Sequence, residues 1–102
     1  MAGRTVQCHL MIGMCQREQG NSTEAVQQFK SSLHTPDITE REKHSVYYEI
    51  GATYEQMNDV GEAVYFYEMV SKKDPSYRDV AQRVPRLRAQ LGKNGESPRR
   101  RG

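Results

Sequence analysis

No stretch of this sequence is apolar for long. The longest run, residues 10–15, is interrupted by Gly13, far short of the ~18 consecutive apolar residues that a membrane-spanning helix needs. Met1-Ala2-Gly3-Arg4 precedes no adequate apolar segment and no cleavage site, so no secretory leader is read. A cytoplasmic protein without membrane insertion is the expectation. Apolar residues make up 35% of the chain, below the ~45–50% usual for a globular domain. A thin layer of helices with little deep interior fits that deficit. Charge of one sign is scarce as well. The formal net charge is +2, and Lys93, Arg99, Arg100 and Arg101 account for it. The body is close to neutral, which argues against broad attraction to nucleic acid.

The residues that chemistry needs are also few. Cys8 and Cys15 are the only cysteines. Seven positions on a helix put them about 10.5 Å apart by rise, beyond the separation a disulfide tolerates. Reduced thiols are expected. A metal site would need two more ligands, and His9, adjacent to Cys8, points away from its face. His9, His34 and His44 fall on three different helices, without a Ser, Cys or Asp partner at a recognisable spacing. Glu40, Glu42 and Glu49 read as polar-face charges. The glycines are scattered at helix ends and crossings, where no phosphate loop can form. No enzyme, cofactor or metal is expected.

What is present is periodicity. In residues 47–75, Tyr47, Ile50, Gly51 and Tyr54 share one helical face, and Ala63, Tyr67 and Val70 share a second beyond a polar break; Pro75 closes the unit. Two helices crossing at ~8–10 Å need a small residue at the crossing. Gly51 and Ala63 supply it, and the aromatics fill the space around them. A second copy lies upstream. Ile12, Gly13, Ala25 and Phe29 precede Ile50, Gly51, Ala63 and Tyr67 by 38 residues each. Its match is weaker, with His9 in the place of Tyr47 and Gln16 in that of Tyr54.

The spacing resembles the tetratricopeptide pattern W-x₂-L-G-x₂-Y…A-x₃-F…P, a helix pair of about 34 residues. Tyr47 stands for its Trp, Ile50 for its Leu and Tyr67 for its Phe. The four extra residues of the longer period fall around Thr35-Pro36-Asp37-Ile38 and the next helix's first turn. The resemblance implies an all-α fold, helix-turn-helix pairs stacked as a short right-handed superhelical solenoid.

The expected organisation is a disordered start over residues 1–5, a first helix pair over 6–37, a second over 38–75, a closing helix over 76–92 and a basic disordered tail over 93–102. Helix starts are read from Asn21 with Glu24, Thr39 with Glu42, and Asp59 with Glu62 as capping boxes. Asp74-Pro75 is expected to open the closing helix, which Val80, Val84, Leu87 and Leu91 stripe on one side. Pro-x-Tyr-Arg-Asp-Val here looks like the closing helix of many bacterial tetratricopeptide proteins. Pro85 predicts a kink or break near Val84, and Gly92 an end.

By that resemblance the first helix of each pair lines a concave groove that binds another protein or peptide. Continuing its spacing, the groove is lined by Gln7, Leu10, Met14 and Arg17, then Ser45, Tyr48, Ala52 and Glu55, and by Gln82, Arg83 and Arg86 of the fifth helix. Leu10 and Met14 occupy the places where the two-carboxylate clamp of chaperone-binding members puts a Lys and an Asn. That clamp is therefore not expected, and an apolar or amphipathic segment is the expected ligand. Tyr65 and Met69, at i and i+4, make a candidate contact on the outer face, where the first copy has Gln27 and Ser31. Finally, the first helix is apolar nearly all round, with Cys8, Ile12 and Cys15 on one side and Leu10, Met11 and Met14 on another. A helix of that kind is covered on both sides. Met11 and Met14 thus mark a surface for self-association in a homodimer, or for a neighbouring repeat if the chain is a structural segment of a longer solenoid.

Overall fold

The computed structural model describes residues 2–94, with side chains from residue 6 to 93. Within them lie five α-helices and no strand: α1 (Ala2–Glu18), α2 (Ser22–Ser32), α3 (Glu40–Gln56), α4 (Val60–Ser71) and α5 (Val80–Asn94). α1 packs on α2, α2 on α3, α3 on α4 and α4 on α5. This is a row of two hairpins closed by a single helix, an all-α solenoid.

Each hairpin turns on one residue of positive φ. Gly20 has φ 88° and Asn58 φ 65°. After α1, the Gly20 and Asn21 amides donate to the Arg17 and Gln16 carbonyls; after α3, the Asn58 and Asp59 amides donate to those of Glu55 and Tyr54. These are paired Schellman closures, which need a left-handed residue that Gly or Asn supplies cheaply. The two turns are the same device, 38 residues apart.

The crossings are as tight as the small residues imply. A Cβ built on Gly13 would lie 2.5 Å from Phe29 Cε1, and one on Gly51 3.0 Å from the Tyr67 ring. Two apolar clusters follow. Val6, Ala25, Phe29, Val46, Ile50 and Phe66 join the first pair to the second. Ala63, Val64, Tyr67 and Val70 meet Val80, Val84, Leu87 and Leu91 of α5, as the stripe on that helix requires.

Several boundaries differ from the sequence reading. α1 begins at Ala2, inside the segment read as irregular. At Thr39 the capping box is complete, the Glu42 amide donating to Thr39 Oγ1 (3.1 Å) and the Thr39 amide to Glu42 Oε1 (2.8 Å). At Asp59 the Glu62 amide donates to Asp59 Oδ1 over a longer 3.4 Å. Asn21 makes no side-chain cap bond; its backbone is already engaged in the closure of α1.

Asp74-Pro75 opens a turn instead of a helix. Asp74 Oδ1 accepts from the amide (3.2 Å) and hydroxyl (2.9 Å) of Ser76, a local bond that competes with helix formation. Arg78 then takes φ 45°, and α5 starts only at Val80. Pro85 does not break it. The carbonyl that Pro85 leaves without a donor belongs to Ala81, whose residue is exposed, so water can satisfy it. α5 also runs past Gly92 to Asn94. The remaining residues read as a basic tail lie outside the described residues.

Candidate binding groove

Between α1, α3 and the turn before α5 lies an open cleft of about 510 Å³. Arg17, Tyr48, Ala52, Glu55 and Arg83 of the sequence-derived groove line it, together with Glu49, Gln56 and Arg78. These last three were not anticipated.

Glu49 corrects the reading of a polar-face charge. It is only 8% exposed, because α1 packs across this face of α3. Arg17 supplies the compensation: its guanidinium lies 3.0 Å from Glu49 Oε1 and donates to Thr53 Oγ1 at 3.1 Å. On the other side Arg78 reaches Glu49 Oε2 at 3.5 Å. A buried carboxylate is tolerable only with such partners. The sequence carried no signal for it, since its helical neighbours Ser45, Ala52 and Thr53 are small or polar and the burial comes from α1.

Tyr48 is not a free anchor either. It is 7% exposed, and its hydroxyl donates to Asp79 Oδ1 at 2.6 Å. Burial, then this bond, push its pKa up. Asp79 in turn is held below its usual carboxylate range, first by the Tyr48 hydroxyl and then by Arg83. The ring forms the cleft floor under the guanidinium of Arg78, 4.8 Å from its centroid, with that of Arg83 at 5.7 Å. Glu55 is the second hub. Its Oε1 takes Arg83 (2.7 Å) and the Tyr67 hydroxyl (2.9 Å), and its Oε2 takes Arg86 (2.7 Å). Tyr67 has its pKa raised by burial first and by the Glu55 charge second.

The other expected groove residues lie apart from this cleft. Leu10 is half-buried against the first apolar cluster, so it serves the core. Met14 is exposed but does not line the cleft, and Gln7 and Gln82 are also exposed. Ser45 is bonded to the Tyr77 hydroxyl (3.0 Å), and Arg86 reaches only its edge through Glu55. Leu10 and Met14, expected in the groove beside Tyr48, therefore do not line the cleft with it, and the cleft is built mainly of charged side chains.

Tyr65 and Met69 are both half-buried against the first cluster, Tyr65 edge-on to Phe66. Met69 borders a smaller cavity of about 290 Å³ with Tyr47 and His44. On α1, Met11 is 65% and Ile12 48% exposed, and Cys8 and Cys15 are free and exposed. His9 pairs with Gln28 in the first hairpin. Among the described residues no cluster of His, Cys, Asp or Glu could hold a metal ion, and no helix is long and apolar enough to cross a membrane.

No curated protein matches the chain. A family model described as tetratricopeptide repeat matches it twice, at residues 7–34 and 45–77, the two hairpins seen in the fold. These matches span more than half of the sequence, and the chain belongs to the tetratricopeptide repeat family, whose repeats generally mediate contacts between proteins.

Proposed function

We propose that this chain is a non-enzymatic protein-binding module, and that a segment of the partner lies in the cleft between α1, α3 and the start of α5. One observation carries the reading. The cleft walls come from both repeats and the closing helix, and bonds between those elements hold them: Arg17 to Glu49, Tyr48 to Asp79, Arg83 to Glu55. A site fixed in this way loses little freedom on binding. Ala52 lines it, small enough for a peptide backbone to approach.

The test is selection of a random peptide library on the intact protein. Selected peptides should bind Ala52→Phe and Gln56→Arg at least tenfold more weakly, while circular dichroism shows the helices retained. Peptides that bind both variants as tightly as the parent would remove the cleft from consideration.

A second reading concerns α1. Cys8, Met11, Ile12 and Cys15 are exposed, whereas their counterparts 38 residues on, Val46, Glu49, Ile50 and Thr53, are buried. A preceding helix pair covers the counterparts. The uncovered face fits self-association about a twofold axis; in a monomer it would be left for another helix pair of the same kind.

A further inference from the structure

The chemistry of the cleft's ligand follows from which hydrogen-bonding groups are already used, and the inference rests on the cleft being the binding site. Three carboxylates surround it, and all of them are engaged. Glu49 has Arg17 on Oε1 and Arg78 near Oε2. Both oxygens of Glu55 accept, from Arg83 and Tyr67 and from Arg86. Asp79 takes the Tyr48 hydroxyl on Oδ1 and Arg83 Nε on Oδ2. Against these stand four guanidiniums, each with five N–H donors and no acceptor.

Arg78 is the least engaged of the four. Its one ion contact is long, 3.5 Å to Glu49, and 54% of its side chain remains exposed. It projects from a left-handed backbone position, φ 45°, and its guanidinium lies over Tyr48 (4.8 Å) and Tyr77 (5.6 Å). A guanidinium held on ring faces keeps its N–H edge available to a planar acceptor, which a carboxylate meets with two parallel bonds. Each carboxylate oxygen thus already faces a cation or a hydroxyl, while Arg78 keeps donors to offer a ligand.

We propose that the cleft recognises an acidic segment of a partner protein, with an Asp or Glu carboxylate seated on the N–H edge of Arg78 above Tyr48. Four arginines against three carboxylates leave one positive charge, which a single carboxylate neutralises. A phosphoryl dianion would exceed it and face Glu49 and Glu55 at close range. The site uses neither Leu10 nor Met14, so it is distinct from the carboxylate clamp that those residues argue against.

The experiment is a titration of the full ¹⁵N-labelled chain with four probes: a hexaglutamate peptide, a hexalysine peptide, a phosphoserine peptide of equal length and a neutral leucine–serine peptide. Hexaglutamate should shift the amides of Ala52, Gln56 and Arg78. Arg78→Ala should weaken it about tenfold or more, as expected for a charged hydrogen-bonded pair. Arg78→Gly, which suits the left-handed backbone, should do the same, and Arg78→Lys should restore only part. Arg41→Ala, at the far end of α3, controls for net charge and should change little. Unaltered hexaglutamate affinity in both Arg78→Ala and Arg78→Gly overturns the proposal. So does tighter binding of the phosphoserine peptide, or a response confined to Arg99, Arg100 and Arg101. If only the neutral peptide moves the cleft amides, the cleft stays the binding site and its acidic preference is wrong. If no probe moves them, both readings fall.

Discussion

At the scale of single residues, two glycines at equivalent positions differ in how much space they have. An alanine at Gly13 would press 2.5 Å from a buried Phe29 ring carbon, and at Gly51 3.0 Å from Tyr67. Each exchange gains about 1 kcal/mol of helix propensity, while overpacking costs about 1–3 kcal/mol. The propensity gain should nearly cancel the cost at Gly51 but not at Gly13. Gly13→Ala is therefore expected to lower the melting temperature by several degrees and Gly51→Ala to leave it almost unmoved. The reverse order in thermal melts would contradict the crossing geometry. The Arg17–Glu49 pair makes a second case. Arg17→Ala leaves a buried carboxylate with only the distant Arg78, and loss of one partner of a buried pair costs about 3–5 kcal/mol. The double change Arg17→Met with Glu49→Leu should cost less than Arg17→Ala alone in urea unfolding. A double variant weaker than the single would show that the pair stabilises in its own right.

At the scale of elements, α5 is tied to its neighbours by charge as well as by its apolar stripe. Tyr48 and Arg83 bind Asp79 at its start, and its outer arginines reach Glu55 and Glu68. Because the folded protein holds Asp79 below its ordinary value of 3.8, the stability it supplies is complete above that pH. It is lost as pH falls through the lower, folded value. The stability difference between the parent and Asp79→Asn should be constant near neutrality and shrink below about pH 4; a difference that grows on acidification would reverse the assignment. Pro85 in the same helix costs about 3 kcal/mol relative to alanine, offset by up to about 1 kcal/mol from the stiffer unfolded chain. Pro85→Ala should thus stabilise by about 2 kcal/mol, read as a higher urea midpoint.

The elements were legible where local rules act alone. The 38-residue offset, the Thr39 box, and Gly13 and Gly51 at the crossings are all visible in sequence. Asn21, Asp74-Pro75 and Pro85 misled because each has a second local option: a backbone closure, an Asp74–Ser76 turn and a solvated carbonyl. The cleft was legible in part. Spacing brought Arg17, Tyr48, Ala52, Glu55 and Arg83 to one side. It could not show that α1 buries Glu49, or that a left-handed residue swings Arg78 over Tyr48, since both depend on packing between distant segments.

At the scale of the whole molecule, the two ends of the solenoid are unlike. α5 seals α4 with Leu87 and Leu91 inward and arginines outward, as a terminal repeat should. α1 leaves Met11, Ile12 and both cysteines exposed. The comparison within the chain makes this more than a scatter of surface apolar residues: Ile50, the counterpart of Ile12, is fully buried. If two copies meet through α1 about a twofold axis, the chain should sediment as a dimer at micromolar concentration. Met11→Lys with Met14→Glu would then convert it to a monomer without loss of helix, since neither residue belongs to the apolar clusters. The axis also has a chemical signature. Antiparallel helices centred near Met11 and Ile12 bring Cys8 close to the other copy's Cys15, whereas each chain's own pair is too far apart to join. Mild oxidation should therefore give a cross-linked dimer in the parent and none in Cys8→Ser. A protein that stays monomeric, with thiols that resist cross-linking, would rule out the twofold contact.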